Sequence, residues 1–176
     1  MHPLHSVPEG GTDGSEMAEA SLSFEAFFEA EHAGLFGALC LVTGNRHEAE
    51  EVMQDAFLRL WERWDRVSVM ENAGGFLYRT AMNLFRNRYR RAGLAVRRAV
   101  NVAPTEDALA TIEDRDVVVR ALRELSADQR AAVVLTGYVG LTSEEAGRVL
   151  GMKPGTVRVL ATRARAAMRD KAGDRR

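Results

Sequence analysis

The stretch "NRHEAEEVMQDAFLRLWERW", residues 45–64, decides the fold class. Ala49, Val52, Met53, Ala56, Phe57, Leu60, Trp61 and Trp64 recur at i, i+3, i+4 and i+7, the spacing that lines one face of an α-helix. Asn45 precedes the run and Glu48 follows three residues on, a cap whose side-chain oxygen can accept a free N–H of the first turn. The opposite face carries Glu51, Gln54, Asp55, Leu58 and Glu62, an acidic stripe with one apolar residue at its centre. Such a stripe suits a basic protein surface with an apolar pocket, and it suits a solvated face with a stray leucine equally well. Pattern alone leaves both open.

Outward from this helix the same period holds. Upstream, residues 23–42 place Phe24, Phe27, Phe28, Leu35, Leu39 and Val42 on one side of a helix that stops at Thr43 and Gly44. Downstream, "FLYRTAMNLFRNRYRR" lies in a helix expected over residues 75–91, with Tyr78, Ala81, Met82, Phe85 and Tyr89 on its apolar side. Its polar stripe is Arg79, Asn83, Arg86, Asn87 and Arg90, with Arg91 adjoining. Asparagine is a mediocre helix former, so two of them in an arginine row need a reason. An amide that reads a base edge while arginines hold phosphates is one; a surface helix with spare asparagines is the other. The loop before it, "VSVMENAGG", can offer side chains to an unstacked base.

Further along, residues 93–112 show no sustained period and read as a linker. Ser126 with Gln129 and Thr142 with Glu145 are capping boxes opening helices of about 11 and 8 residues, which Gly140 and Gly151 are expected to end. A short helix over 143–150, a turn at Gly151 and a longer helix from Pro154 have helix-turn-helix spacing. In "LGMKPGTVRVLATRARAAMRD", residues 150–170, Val157, Leu160, Ala161, Ala164 and Met168 form the stripe expected to be buried. Arg158, Thr162, Arg165 and Arg169 line another face, with Thr156 and Arg163 beside them. Lys153 stands where a cap is preferred, and a cation there opposes the helix dipole unless a phosphate docks at the free N–H groups. A solvated basic face is the plainer alternative.

No strand pattern appears. The chain is expected to be all-α, with two small helical domains over 21–92 and 113–171, a flexible linker between them, and tails at 1–20 and 172–176.

The 176 residues carry a formal net charge of only −1, which hides a partition. Residues 67–100 and 151–176 are each +6, whereas 1–20, 21–66, 101–130 and 131–150 are −4, −5, −3 and −1. Local fields, not the total, decide which surface meets a polyanion. One cysteine excludes an internal disulfide, and there is no run of 18 apolar residues and no basic, apolar leader. A cytoplasmic protein without membrane insertion is expected. His32, Cys40 and His47 match no compact ligand pair, and no nucleophile elbow, phosphate loop or paired-carboxylate constellation appears. No catalytic, metal or cofactor site is expected.

Three motifs in order carry a resemblance. "EAEEVMQDAFLRLWERW", "FLYRTAMNLFRNRYRR" and "LRELSADQRAAVVLTGYVGLTSEEAGRVLGMKPGTVRVLATRARAAMR" resemble regions two and four of the extracytoplasmic-function (ECF) sigma factors of bacterial RNA polymerase. The resemblance implies a region-two bundle and a region-four helix-turn-helix in a transcription initiation factor that is not an enzyme. Core polymerase would be bound at its β′ clamp helices through Glu51, Gln54, Asp55, Leu58 and Glu62, with the β flap as region four's protein partner. The minus-ten element would be met by Tyr78, Arg79, Asn83, Arg86, Asn87, Arg90 and Arg91. The minus-thirty-five element would be met by Lys153, Thr156, Arg158, Thr162, Arg163 and Arg165. Sequestration by an anti-sigma protein is a further partner the resemblance implies. Asn87 stands where the family usually has an aspartate, so promoter preference is expected to differ. Lys153 stands for a more usual Pro or Ser and Leu160 for a common basic residue, departures that bear on the minus-thirty-five contacts. The alternative is a stand-alone two-domain helix-turn-helix regulator.

Overall fold

A computed structural model describes residues 23–98 and 113–173, all of whose regular elements are helices. In order they are α1 (Phe24–Thr43), α2 (Arg46–Trp61), α3 (Trp64–Val67), α4 (Ala73–Arg98), α5 (Glu113–Arg123), α6 (Ala127–Gly137), α7 (Ser143–Leu150) and α8 (Pro154–Gly173). The expected N-terminal tail, residues 174–176 and the linker beyond Arg98 lie outside the described residues, whereas residues 172 and 173, expected in the C-terminal tail, end α8.

Local chemistry sets most boundaries. Ser23 caps α1, and Gly44 ends it in the left-handed conformation at φ 67°, donating to the Cys40 carbonyl. Asn45 follows at once and caps α2 by accepting from the Glu48 N–H at 3.0 Å, so two residues turn the chain through a helical hairpin. Both expected capping boxes form, at Ser126 with Gln129 and at Thr142 with Glu145. Gly151, at φ 66°, ends α7 as expected, and the Met152 N–H returns to the Gly147 carbonyl at 2.9 Å.

Three boundaries depart from expectation. The period of α2 runs through Trp64, yet the helix stops at Trp61 and Trp64 opens the single turn of α3. α4 is longer than expected at both ends. Asn72 caps it by accepting from the Gly75 N–H, which lets Ala73, Gly74 and Gly75 serve as its first turn, and the helix continues to Arg98. α6 closes at Gly137, so Gly140 (φ 83°) shapes the turn before α7 and does not end the helix.

The two halves are packed together around one buried cluster that runs from Phe27 and Leu39 in α1 to Val157 and Ala164 in α8. α1 lies on α5 and α6, and α4 lies on α6 and α7. The junction is stitched by arginines that cross it to helix ends, where carbonyls lack partners within their own helix. Arg86 of α4 donates to the Leu150 carbonyl at the end of α7 at 2.8 Å. Arg130 of α6, 3% exposed, donates to the Val42 carbonyl near the end of α1 at 2.7 Å and to the Arg123 and Leu125 carbonyls of its own half. Arg123 reaches the Gly44 carbonyl. A cation at a helix C-terminus also opposes the negative end of the macrodipole. Tyr138 completes the junction by laying its hydroxyl where a Cβ on Gly37 would stand.

α1 is long and apolar enough to cross a membrane by composition, with mean hydropathy 1.2. Here it is a core helix, burying Phe27, Leu35, Ala38, Leu39, Cys40 and Val42 against the others. Cys40 thus sits as a small buried side chain.

Candidate nucleic-acid and protein interfaces

The outer face of α2 is acidic and open. Glu51, Gln54, Leu58 and Glu62 are exposed, Leu58 at 57%, and Asp55 is half-buried. Glu51 and Asp55 stand one turn apart, and Arg88 of α4 divides its fork between them, at 2.8 Å to Glu51 and 2.7 Å to Asp55. The two carboxylates therefore hold fixed positions. Behind them Glu48 is half-buried, and burial pushes its carboxyl up from 4.5 against the opposing pull of Arg88. Arg88 is a residue that the sequence reading missed. It sits among stripe arginines, and only its place off the Arg79–Asn83–Asn87 row separates it. Trp61 is a correction: expected in the buried stripe, it is 54% exposed because α2 ends there.

On α4 the stripe divides. Arg79, Asn83, Asn87, Arg90 and Arg91 are exposed along one side. Asn83 also walls a polar recess of about 280 Å³ formed with Arg59, Glu62, Arg63, Phe76 and Thr80. The preceding loop holds Val69 and Met70 out, Val69 at 78%. Arg86 is not available in this arrangement, since Asp128 of α6 takes its Nε at 2.9 Å while the Leu150 carbonyl takes Nη1. Tyr78, too, is not open to DNA in this arrangement. It is buried at 8%, facing α1 at Gly34, and burial, with Glu31 and Tyr138 nearby, pushes its hydroxyl up to about 12. Standing on the apolar side of α4, it packs inward despite the polar atom at its tip. Tyr89, by contrast, is 42% exposed, its ring under the Arg130 guanidinium.

The α7–α8 pair stands as the helix-turn-helix spacing predicts. Val157, Ala161 and Ala164 are buried, and Leu160 and Met168 are half-buried against the core. Lys153, Thr156, Arg158, Thr162, Arg163 and Arg165 are all exposed. Arg158 lies 3.5 Å from Glu144, an exposed pair of little energetic weight, and Arg165 donates to the Thr136 hydroxyl at 3.0 Å. Lys153 offers no side-chain cap bond among those described; its carbonyl accepts from Thr156 and Val157, and Pro154 takes the first helical position, where its missing N–H costs nothing. Leu160 turns toward the core, so its replacement of a basic residue removes no charge from the exposed face.

Comparison with known proteins covers both halves of the chain. Residues 27–95 match the Sigma-70 region 2 family and residues 115–168 the Sigma-70, region 4 family. The ECF RNA polymerase sigma factor SigM of Mycobacterium tuberculosis is 30% identical over 147 residues, covering 83% of this chain and 75% of that one. The RNA polymerase sigma-E factor of Streptomyces coelicolor is 26% identical over 151 residues, covering 85% of each. Among solved structures, the sigma factor RpoE in complex with the anti-sigma factor NepR from Bartonella quintana aligns with a TM-score of 0.71 at 25% identity. That alignment covers 87% of this chain and 98% of RpoE. CnrH, solved with the cytosolic domain of CnrY, shares the fold at a TM-score of 0.64 and 24% identity, over 87% of this chain and 89% of that one.

Proposed function

The chain belongs to the ECF sigma factors of RNA polymerase, and from that premise we propose which of its surfaces meets which partner. As a sigma factor it works with core polymerase and promoter DNA and is not an enzyme; the polymerase performs the chemistry. Core polymerase docks its β′ clamp helices on α2 at Glu51, Gln54, Asp55, Leu58 and Glu62. The minus-ten element is engaged along α4 by Arg79, Asn83, Asn87, Arg90 and Arg91, and the minus-thirty-five element by Lys153, Thr156, Arg158, Thr162, Arg163 and Arg165 on and before α8. The β flap is the protein partner of the second half. Functional domains at 21–92 and 113–171 follow from this division. Its place of work is the cytoplasm, where polymerase meets the chromosome.

The observation that carries the reading is one acidic exposed face with a central leucine and two exposed basic faces on separate helices. That is the complement of one basic protein partner and two stretches of polyanion.

The packed halves also have a consequence on DNA. Elements named for positions about 25 base pairs apart lie about 85 Å apart at 3.4 Å per base pair. Two halves sharing one core cannot reach both, so the packed form is closed and the promoter-bound form is open. The 14 residues from 99 to 112 span at most about 50 Å when extended, ample for the halves to part. An anti-sigma protein that favours the closed form is the regulator we propose, by analogy with RpoE, solved with NepR.

Association of the purified chain with core polymerase tests the reading. Leu58→Asp should abolish it while leaving helix content and duplex binding intact. A chain that never joins polymerase yet binds duplex DNA tightly as a dimer is a stand-alone regulator instead.

A further inference from the structure

At the C-terminal end of α2 the acidic face does not stop; it curves onto α1. Trp61 follows Gln54 and Leu58 by seven and three residues, so it stands at the edge of the docking stripe. Its ring meets Phe24 of α1 nearly edge-on, with centroids 4.9 Å apart. Phe24 and Phe28 are half-buried, and with Trp61 they floor an open dish of about 480 Å³. Glu25 and Glu29, one turn apart on α1 and both exposed, form its rim. Trp64, by contrast, is half-buried and boxed by Phe24 and Phe27 at 5.2 Å.

We infer that this aromatic dish is a second half of the polymerase-docking surface and takes an arginine-bearing segment of the polymerase. The inference rests on the proposal that α2 docks on polymerase. An aromatic floor attracts a guanidinium through the ring faces, and carboxylates on the rim supply its counter-charge. Tryptophan is also the side chain that most often dominates interface energetics when it is desolvated. The dish is continuous with the Leu58 stripe and shares its sign, so one basic partner covers both. Two other occupants are disfavoured by charge. A second copy would bring acidic rims together. The chain's own residues 1–22 carry four carboxylates and no lysine or arginine.

Labelling the full chain with 5-fluorotryptophan gives two fluorine resonances, Trp61 and Trp64, assignable with Trp61→Phe. Titration with unlabelled core polymerase should shift the Trp61 resonance well beyond that of Trp64. Trp61→Ala and the double reversal Glu25→Lys with Glu29→Lys should each weaken polymerase affinity at least tenfold, while Trp61→Phe keeps most of it. Helix content and duplex binding of the free chain serve as the fold control. A Trp61 resonance that tracks Trp64 at saturating polymerase, or wild-type affinity in Trp61→Ala, overturns the inference. So does a Trp61 shift that appears with protein concentration alone, which assigns the dish to a second copy. Leu58→Asp separates the two claims: if it abolishes binding and Trp61→Ala does not, α2 docks and the dish does not take part. If Trp61→Ala abolishes binding and Leu58→Asp does not, the dish stands and the stripe fails.

Discussion

Arg86 on α4 and Asp128 on α6 meet at 2.9 Å, and the arginine that sequence placed on promoter DNA spends the closed form on a carboxylate of the other half. Arg86 keeps only 17% of its side chain exposed, while Asp128 keeps 46%, so solvent screens the pair and about 1 kcal/mol is its fair weight. Arginine accepts a carboxylate and a carbonyl in the same fork geometry it would use on phosphate or guanine. Asp128→Ala should therefore shift the closed–open balance by about fivefold, since about 1.4 kcal/mol corresponds to tenfold. The free chain should scatter as a larger particle and bind mixed-sequence duplex more tightly at low salt. Thermal stability should drop only slightly, through loss of an acidic residue in the first turn of α6. Unchanged scattering together with unchanged DNA affinity would show that this contact does not hold the halves together.

The turn between α7 and α8 sets where the second basic face points. A Cβ on Gly147 would come within 2.7 Å of the Met152 carbonyl oxygen, which is backbone and cannot swing away. Gly147→Ala should displace the start of α8 and weaken binding to duplex carrying a minus-thirty-five element, with polymerase association retained. Gly151→Ala has open space around it but forces a side chain to φ 66°, a strain of about 1 kcal/mol. It should lower the melting temperature by a few degrees and spare most DNA affinity. If the two substitutions weaken DNA binding equally, close packing at Gly147 is not what aims α8.

What could be read from sequence follows the range of the interactions. Asn45, Ser126 and Thr142 were readable as caps because each satisfies an N–H only three residues away. The start of α4 is placed two residues late, at Gly75, because Gly74 reads as a breaker unless Asn72 is seen holding the first turn. Trp61 fits the buried period perfectly. It is exposed because α2 ends under it, and no periodic count registers a helix end that lacks a side-chain cap. Arg88, Arg86 and Arg130 look alike in sequence, as bases on amphipathic helices. Their fates part only in three dimensions: one clamps two carboxylates on α2, one crosses to α6 and α7, and one is buried against the Val42 carbonyl. Tyr78 reads on the apolar side, where it lies, and only the resemblance places it on DNA.

Glu48 supplies a pH test of the clamp behind the docking face. Burial is the largest influence on it and raises its carboxyl above 4.5; Arg88 and Arg130 pull the other way, and Glu51 adds to the rise. A carboxyl that binds its proton more tightly in the folded chain makes folding less favourable as pH rises from 4.5 through its folded value. The charged form is thus tolerated rather than sought. Glu48→Gln keeps the backbone N–H that Asn45 caps and removes the buried charge. At neutral pH it should melt at or above the wild-type temperature, and the difference should vanish once the pH falls below 4.5. Arg88→Ala should do the reverse. Without its guanidinium, Glu48 loses the first of its opposing cations, and Glu51 and Asp55 lose their shared partner, so stability should fall by about 1 kcal/mol at neutral pH. That loss should shrink in acid, as Glu48 protonates. A Glu48→Gln chain that melts below wild type at neutral pH would mean that the carboxylate contributes to the fold through Arg88 more than its burial costs.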